Sequence, residues 1–143
     1  MQIPQVSRIP AMTKNSTLYG LVNNLINEAT PLAVHNRNSV VNNVPMDVHI
    51  DANGAIVSSV LSKLFNTIIR HTQNCGILIS AKVYGMVVLV QVKSNGNISP
   101  ALPEDMGQVS LKAQKTGGVI EIIRYENKEA SVAYCFLNVA GAA

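Results

Sequence analysis

Apolar side chains recur at Leu18, Leu21, Val22, Leu25, Ile26 and Ala29, the i, i+3, i+4, i+7 spacing of an amphipathic helix. Asn15, Ser16 and Thr17 stand just before it and offer N-cap oxygens. Pro31 is expected to kink or end this helix, although Leu32 and Ala33 stay apolar. Ser39-Val40-Val41 and Asp47-Val48-His49-Ile50 read as short strands, separated by Asn42-Asn43 and Pro45. Asp51-Ala52-Asn53-Gly54 is a turn into the clearest helix of the chain. There the pairs Ile56/Val57, Val60/Leu61, Leu64/Phe65 and Ile68/Ile69 predict one wholly buried face, while Ser59, Lys63, Asn66, Thr67 and Arg70 mark the other. Asn74 and Gly76 supply the expected stop.

Residues 76–83 read as a strand, Tyr84-Gly85 as a tight turn and residues 86–93 as the returning strand of a hairpin. Residues 87–90 are continuously apolar, which predicts burial on both faces. Ser94-Asn95-Gly96-Asn97 reads as a turn, and Pro100 and Pro103 bound a short loop. A weaker helix is expected over 104–116, with Met106, Val109, Leu111 and Ala113 apolar and Gly117-Gly118 ending it. Residues 119–125 and 130–139 form a last strand pair around the polar turn 126–129. Strand runs set against a few helices predict an α+β fold, a two-layer sandwich. Residues 1–14, with Pro4 and Pro10, read as an arm, 15–139 as the domain and 140–143 as a tail.

Composition narrows the function classes. The 143 residues suffice for one domain with a core of its own. Hydrophobic residues make up 48% and charged residues 13%, which excludes disorder. No apolar run is long enough to span a bilayer, and no N-terminal segment reads as a signal peptide, so a cytoplasmic protein is expected. The net charge of +3 is scattered and Trp is absent, which argues against nucleic-acid binding. A surface with so few charges associates readily, so a protein partner or self-association, including a homodimer, is expected. Cys75 and Cys135 lie in no CxxC motif, and His35, His49 and His71 form no ligand pattern, so no metal site is expected. His71 reads as a capping or surface histidine at a helix C-terminus.

The element order, together with the segments TLYGLVNNLINEATPLA, DVHIDANGAIVSSVLSKLFNTIIRHT, GILISAKVYGMVVLVQVKSNG and TGGVIEIIRYENKEASVAYCFLN, resembles the ATP-binding domain of sensor histidine kinases. That histidine kinase-like ATPase fold is shared with gyrase. The resemblance implies a mixed sheet with helices on one face. Asp51 and Arg70-His71-Thr72 fill the places where that family puts a strand-ending Asp and a basic-His-Thr helix end.

The residues that would serve ATP depart from the family. Its two magnesium- and phosphate-binding Asn match Lys63 and Thr67; lysine cannot coordinate a cation, and a threonine hydroxyl is a poorer ligand than an amide oxygen. The acidic base matches Asn66, which accepts no proton at neutral pH. The adenine-reading Asp-x-Gly-x-Gly matches Ser94, Gly96 and Ile98, so only Gly96 is kept. The lid loop is shortened or absent, because only residues 99–104 precede the next helix, and of the glycine-rich phosphate cradle only Gly107 remains. The two-helix domain that carries the family's phosphoacceptor histidine is expected to be missing. The resemblance therefore implies a degenerate, catalytically inactive domain that works through protein contact in signal transduction, with no catalytic residues and no cofactor. Lys63, Asn66, Thr67, Arg70, Ser94 and Gly96 would line its vestigial pocket. Alternatives are an unconventional Mg-ATP-binding domain, or a small-molecule or anion binder lined by Lys63, Arg70 and Ser94.

Overall fold

In a computed structural model, which describes residues 16–126 and 128–140, the order is α1 (Leu18–His35), β1 (Ser39–Asn42), α2 (Gly54–Arg70), β2 (Thr72–Tyr84), β3 (Val87–Ile98), α3 (Leu102–Lys115), β4 (Val119–Glu126) and β5 (Glu129–Leu137). The sheet runs β1-β2-β3-β5-β4, with β1 and β2 parallel and the other pairs antiparallel. This is the expected α+β architecture with a mixed sheet. The proposed arm 1–14, the cap candidate Asn15, Asn127 and the tail beyond Ala140 lie outside the described residues.

Each helix buries most of the stripe its periodicity predicts. Leu18, Val22, Leu25, Ala29 and Ala33 of α1, Val57, Val60, Leu61, Leu64 and Ile68 of α2, and Leu102, Met106, Val109 and Ala113 of α3 join one core with Ile77, Ile79, Val90, Val92, Val132 and Tyr134 of the sheet. Thr17 is the N-cap of α1, its hydroxyl accepting from the Gly20 N–H at 3.1 Å. Asn53 caps α2 in the same way, accepting from the Ala55 and Ile56 N–H groups.

Several local expectations are overturned. α1 does not end at Pro31 but continues to His35. Pro31 and Asn27, whose carbonyl loses its helical donor there, are both on the solvent side, where water can replace the bond. Residues 47–50 form no strand. Val48 and Ile50 are buried in alternation, but the segment makes only an isolated bridge, Thr17 to His49. It is held instead by Asn138, whose side chain accepts from the Asp51 and Ala52 N–H groups and donates to the His49 carbonyl at 2.8 Å. α2 stops at Arg70, before Asn74 and Gly76, which belong to β2. Asn74, at φ 55, takes up the register shift between Gln73 and Gly76.

Ser94-Asn95-Gly96-Asn97 is strand rather than turn, because β2 and β5 both pair with it: Ser94 faces Ile77 and Ala130, and Asn95 faces Gly76 and Glu129. The hairpin turn falls one residue late, at Gly85-Met86, with Gly85 at φ 61. Residues 87–90 are not buried on both faces. Val88 and Val90 face the helices, while Val87 is exposed and Leu89 half-buried on the other side. α3 begins two residues early, at Leu102, and its Leu111 is exposed rather than core.

Candidate functional site

The buried stripe of α2 decides where its polar residues go. Lys63 and Arg70, seven residues apart, share an exposed face, and Asn66 is half-buried. Thr67 turns inward and is 1% exposed. Ser94, on β3, is 3% exposed, with the core residues Ile77 and Ala130 beside it in register. Gly96 sits at φ 147 against the irregular stretch of β2. A Cβ there would stand 2.6 Å from the Asn74 carbonyl oxygen and 2.7 Å from Cys75 Sγ. Close approach of two strands thus accounts for this glycine without a ligand.

The end of α2 is held by side chains from the turn that follows α1. The Asn38 amide nitrogen donates to the Thr72 carbonyl at 3.1 Å and the Thr72 hydroxyl at 3.0 Å, and its oxygen accepts from the Cys75 N–H at 2.9 Å. The Asn36 amide donates to the Ile69 carbonyl at 2.9 Å. Arg37 between them has φ 59, the left-handed kink that brings both amides round to α2. His71 is the C-cap of α2, as expected, but it also has an acidic partner that spacing did not reveal. Its Nε2 lies 2.6 Å from Asp105 Oδ2 in the first turn of α3, where the helix dipole favours a carboxylate.

Only residues 99–101 join β3 to α3, and Ser99 and Ala101 are held by hydrogen bonds. The Ser99 N–H donates to the His71 carbonyl, the Ser99 carbonyl accepts from Tyr125 Oη, and Ser99 Oγ accepts from the Ala101 N–H. Imidazole and carboxylate here bridge α2 to α3 beside a closed connection.

Two cavities stand out. One, of about 10 Å³, lies in the core among Ile26, Val40, Phe65, Ile68, Ile77 and Val92 and is wholly apolar, too small and too greasy for a nucleotide. The other, of about 360 Å³, is lined by Gln91, Lys93, Ser94, Arg124, Glu129 and Ser131, among others. Of the six residues expected to line a pocket it includes only Ser94. Its cations are Lys93 and Arg124, and Arg124 is already paired with Glu129 at 2.8 Å. Among the described residues no group of His, Cys, Asp and Glu could hold a metal ion, and no helix is long and apolar enough to cross a membrane.

Burial raises the thiol pKa of Cys75, against hydrogen bonds that lower it, and that of Cys135, with the Glu121 charge adding to the rise. Neither thiol is activated for chemistry. Burial alone pushes the Tyr134 hydroxyl from 10 up to about 12, and no described residue is hydrogen-bonded to it. The unfolded chain releases that proton near 10 while the fold keeps it, so stability is intact below pH ~10 and falls as pH rises to about 12. Tyr134→Phe should remove this alkaline loss and leave stability at neutral pH within about 1 kcal/mol. Urea unfolding of both proteins at neutral pH and at rising alkaline pH checks this.

The backbone arrangement has close counterparts among solved structures. The histidine kinase AdeS of Acinetobacter baumannii superposes with a TM-score of 0.71 over 87% of this chain and 66% of its own, at 10% identity. A histidine kinase of Burkholderia phymatum gives 0.71 over 90% of this chain and 72% of its own, at 12% identity. The catalytic domain of histidine kinase ThkA gives 0.68 over 89% of this chain and 96% of its own, at 17% identity. The chain has the fold of a histidine kinase catalytic domain. At these identities the likeness establishes the fold. No family model matches the sequence, and no curated protein matches it. The chain spans 32% of full-length ShkA, so it corresponds to one part of such kinases.

Proposed function

We propose that this chain is a histidine kinase-type ATP-binding domain that has lost its nucleotide and acts by protein contact, as a regulatory module in signal transduction. The observation that carries the reading is the closed connection between β3 and α3. Ser99 is strapped to His71 and Tyr125, and Asp105 holds His71, where the family keeps a long lid and a glycine-rich phosphate cradle. With Lys63 exposed and Thr67 and Ser94 enclosed in the core, the vestigial set of Lys63, Asn66, Thr67, Arg70, Ser94 and Gly96 lacks the convergent polar groups a nucleotide needs. A protein partner is in keeping with ThkA, a relative in fold whose structure was solved in complex with the response regulator TrrA.

Calorimetric titration with ATP and with ADP, each with magnesium, tests the reading. The expected result is no heat and no thermal shift at millimolar nucleotide. Saturable micromolar binding that is lost in Lys63→Ala or Arg70→Ala would overturn it in favour of an unconventional ATP-binding domain.

A further inference from the structure

The face of the sheet turned away from the helices is unpartnered and apolar at one end. The ladders place its side chains in rows across the strands. One row is Tyr84, Val87 and Leu137. The next is Lys82, Leu89, Cys135 and Val119, and the third is Ser80, Gln91, Ala133 and Glu121. Tyr84 is 58% exposed, Val119 51% and Leu137 49%, although single strands of a solvated sheet face ordinarily alternate to polar residues. Glu121 is on this face by register, opposite Ala133 and exposed beside the buried Ile120. Neither Lys82 nor Glu121 is in an ion pair among the described residues, where the pairs are His71–Asp105 and Arg124–Glu129.

The charges flank the apolar centre with opposite sign. Lys82 stands on β2 and Glu121 on β4, with β3 and β5 between them and one row of offset along the strands, about 16 Å apart at ordinary strand spacing and rise. This pattern is complementary to itself. A two-fold axis in the interface, parallel to the strands and passing between β3 and β5, sets β2 of each copy over β4 of the other. Lys82 then lies over Val119 of the second copy, and Glu121 of that copy stands one row further along, about 7 Å, within reach of the long lysine side chain across sheets about 10 Å apart; symmetry repeats the pair. Leu89 meets Cys135 between the two charge pairs, with Val87 over Leu137. An isologous contact needs a patch of this kind, in which each residue finds its complement on the same surface.

We infer that the outer sheet face docks a second copy of this chain, with the Lys82–Glu121 pairs fixing its orientation. The inference is independent of the nucleotide reading, because its test measures mass and not ligand. Sedimentation equilibrium of the full chain should give a concentration-dependent dimer. Lys82→Glu and Glu121→Lys should each raise the dimer Kd at least about tenfold by placing like charges together, and the double swap should restore it to within about threefold. Leu137→Asp should abolish the dimer. Thermal unfolding of these exposed-site variants should match the parent, which separates lost docking from lost folding. A chain that is monomeric at all concentrations would overturn the inference. So would a dimer indifferent to both single swaps, or a double swap that is no tighter than either.

Discussion

Replacing Asn38 with alanine is expected to lower the unfolding free energy by about 3 kcal/mol, or roughly 10 °C in Tm for a chain of this size. Asn38 is 9% exposed, and its one side chain serves Thr72 twice and the Cys75 N–H once. Truncation leaves those groups buried where water cannot replace the lost bonds, which is the expensive way to break a hydrogen bond. Asn38→Asp keeps the acceptor for Cys75 but sets a carboxylate against the Thr72 carbonyl, so it should be at least as harmful. Asn36→Ala, which loses a single part-buried bond to Ile69, should cost about 1 kcal/mol. Urea unfolding of the three variants decides the matter. If Asn38→Ala were no worse than Asn36→Ala, the network would not be what fastens the end of α2 to the start of β2.

The second large effect is expected at Gly96. Gly96→Ala should destabilise by about 3 kcal/mol or more, or prevent recovery of folded protein. At φ 147 an L-residue is strained, and the new Cβ would fall 2.6 Å from the Asn74 carbonyl oxygen and 2.9 Å from the Cys75 Cα. Both obstacles are backbone, so neither can rotate away. Asn97→Ala, at the exposed neighbouring position, should stay within about 0.5 kcal/mol. The comparison separates two reasons for a glycine at this place. A folded, fully stable Gly96→Ala protein would mean that β2 and β3 can part there, and the glycine would then need a functional explanation. The same result would reopen the nucleotide reading, since Gly96 is the residue that the resemblance assigns to the family's adenine-binding turn.

The helices and the two hairpins were legible from residue order because their signals are local. A stripe at helical spacing, such as Val57, Val60, Leu61, Leu64 and Ile68, reports its buried face whatever it packs against. Gly85 and Gly117-Gly118 punctuate the chain through their own backbone freedom, as their φ values of 61 and 88 at Gly85 and Gly117 show. The resemblance to histidine kinases rested on the order of these same elements, and the solved structures bear out the fold.

The failures share a cause. Ser94-Asn95-Gly96-Asn97 has the composition of a turn, yet it is strand because β2 and β5 supply ladder partners on either side. Residues 47–50 alternate like a strand, yet they have no neighbour to pair with beyond one bridge, and a side chain 87 residues away holds Asp51 instead. Of the six candidate pocket residues, Lys63, Asn66, Thr67 and Arg70 could be placed on α2 from sequence, while Ser94 and Gly96 read as a turn. Whether each faced water or core was decided by the packing of α2 on the sheet, which exposes Lys63 and Arg70 and encloses Thr67 and Ser94.

By itself, then, the sequence determined the elements, their order and the α+β architecture, since periodicity and backbone freedom are properties of neighbouring residues. Only the tertiary structure decided that Asn38 is a buried joint, that His71 meets Asp105 across 34 positions, and that Lys82 and Glu121 flank one apolar face. Those facts depend on strand register and helix docking, which bring together groups that no local pattern relates.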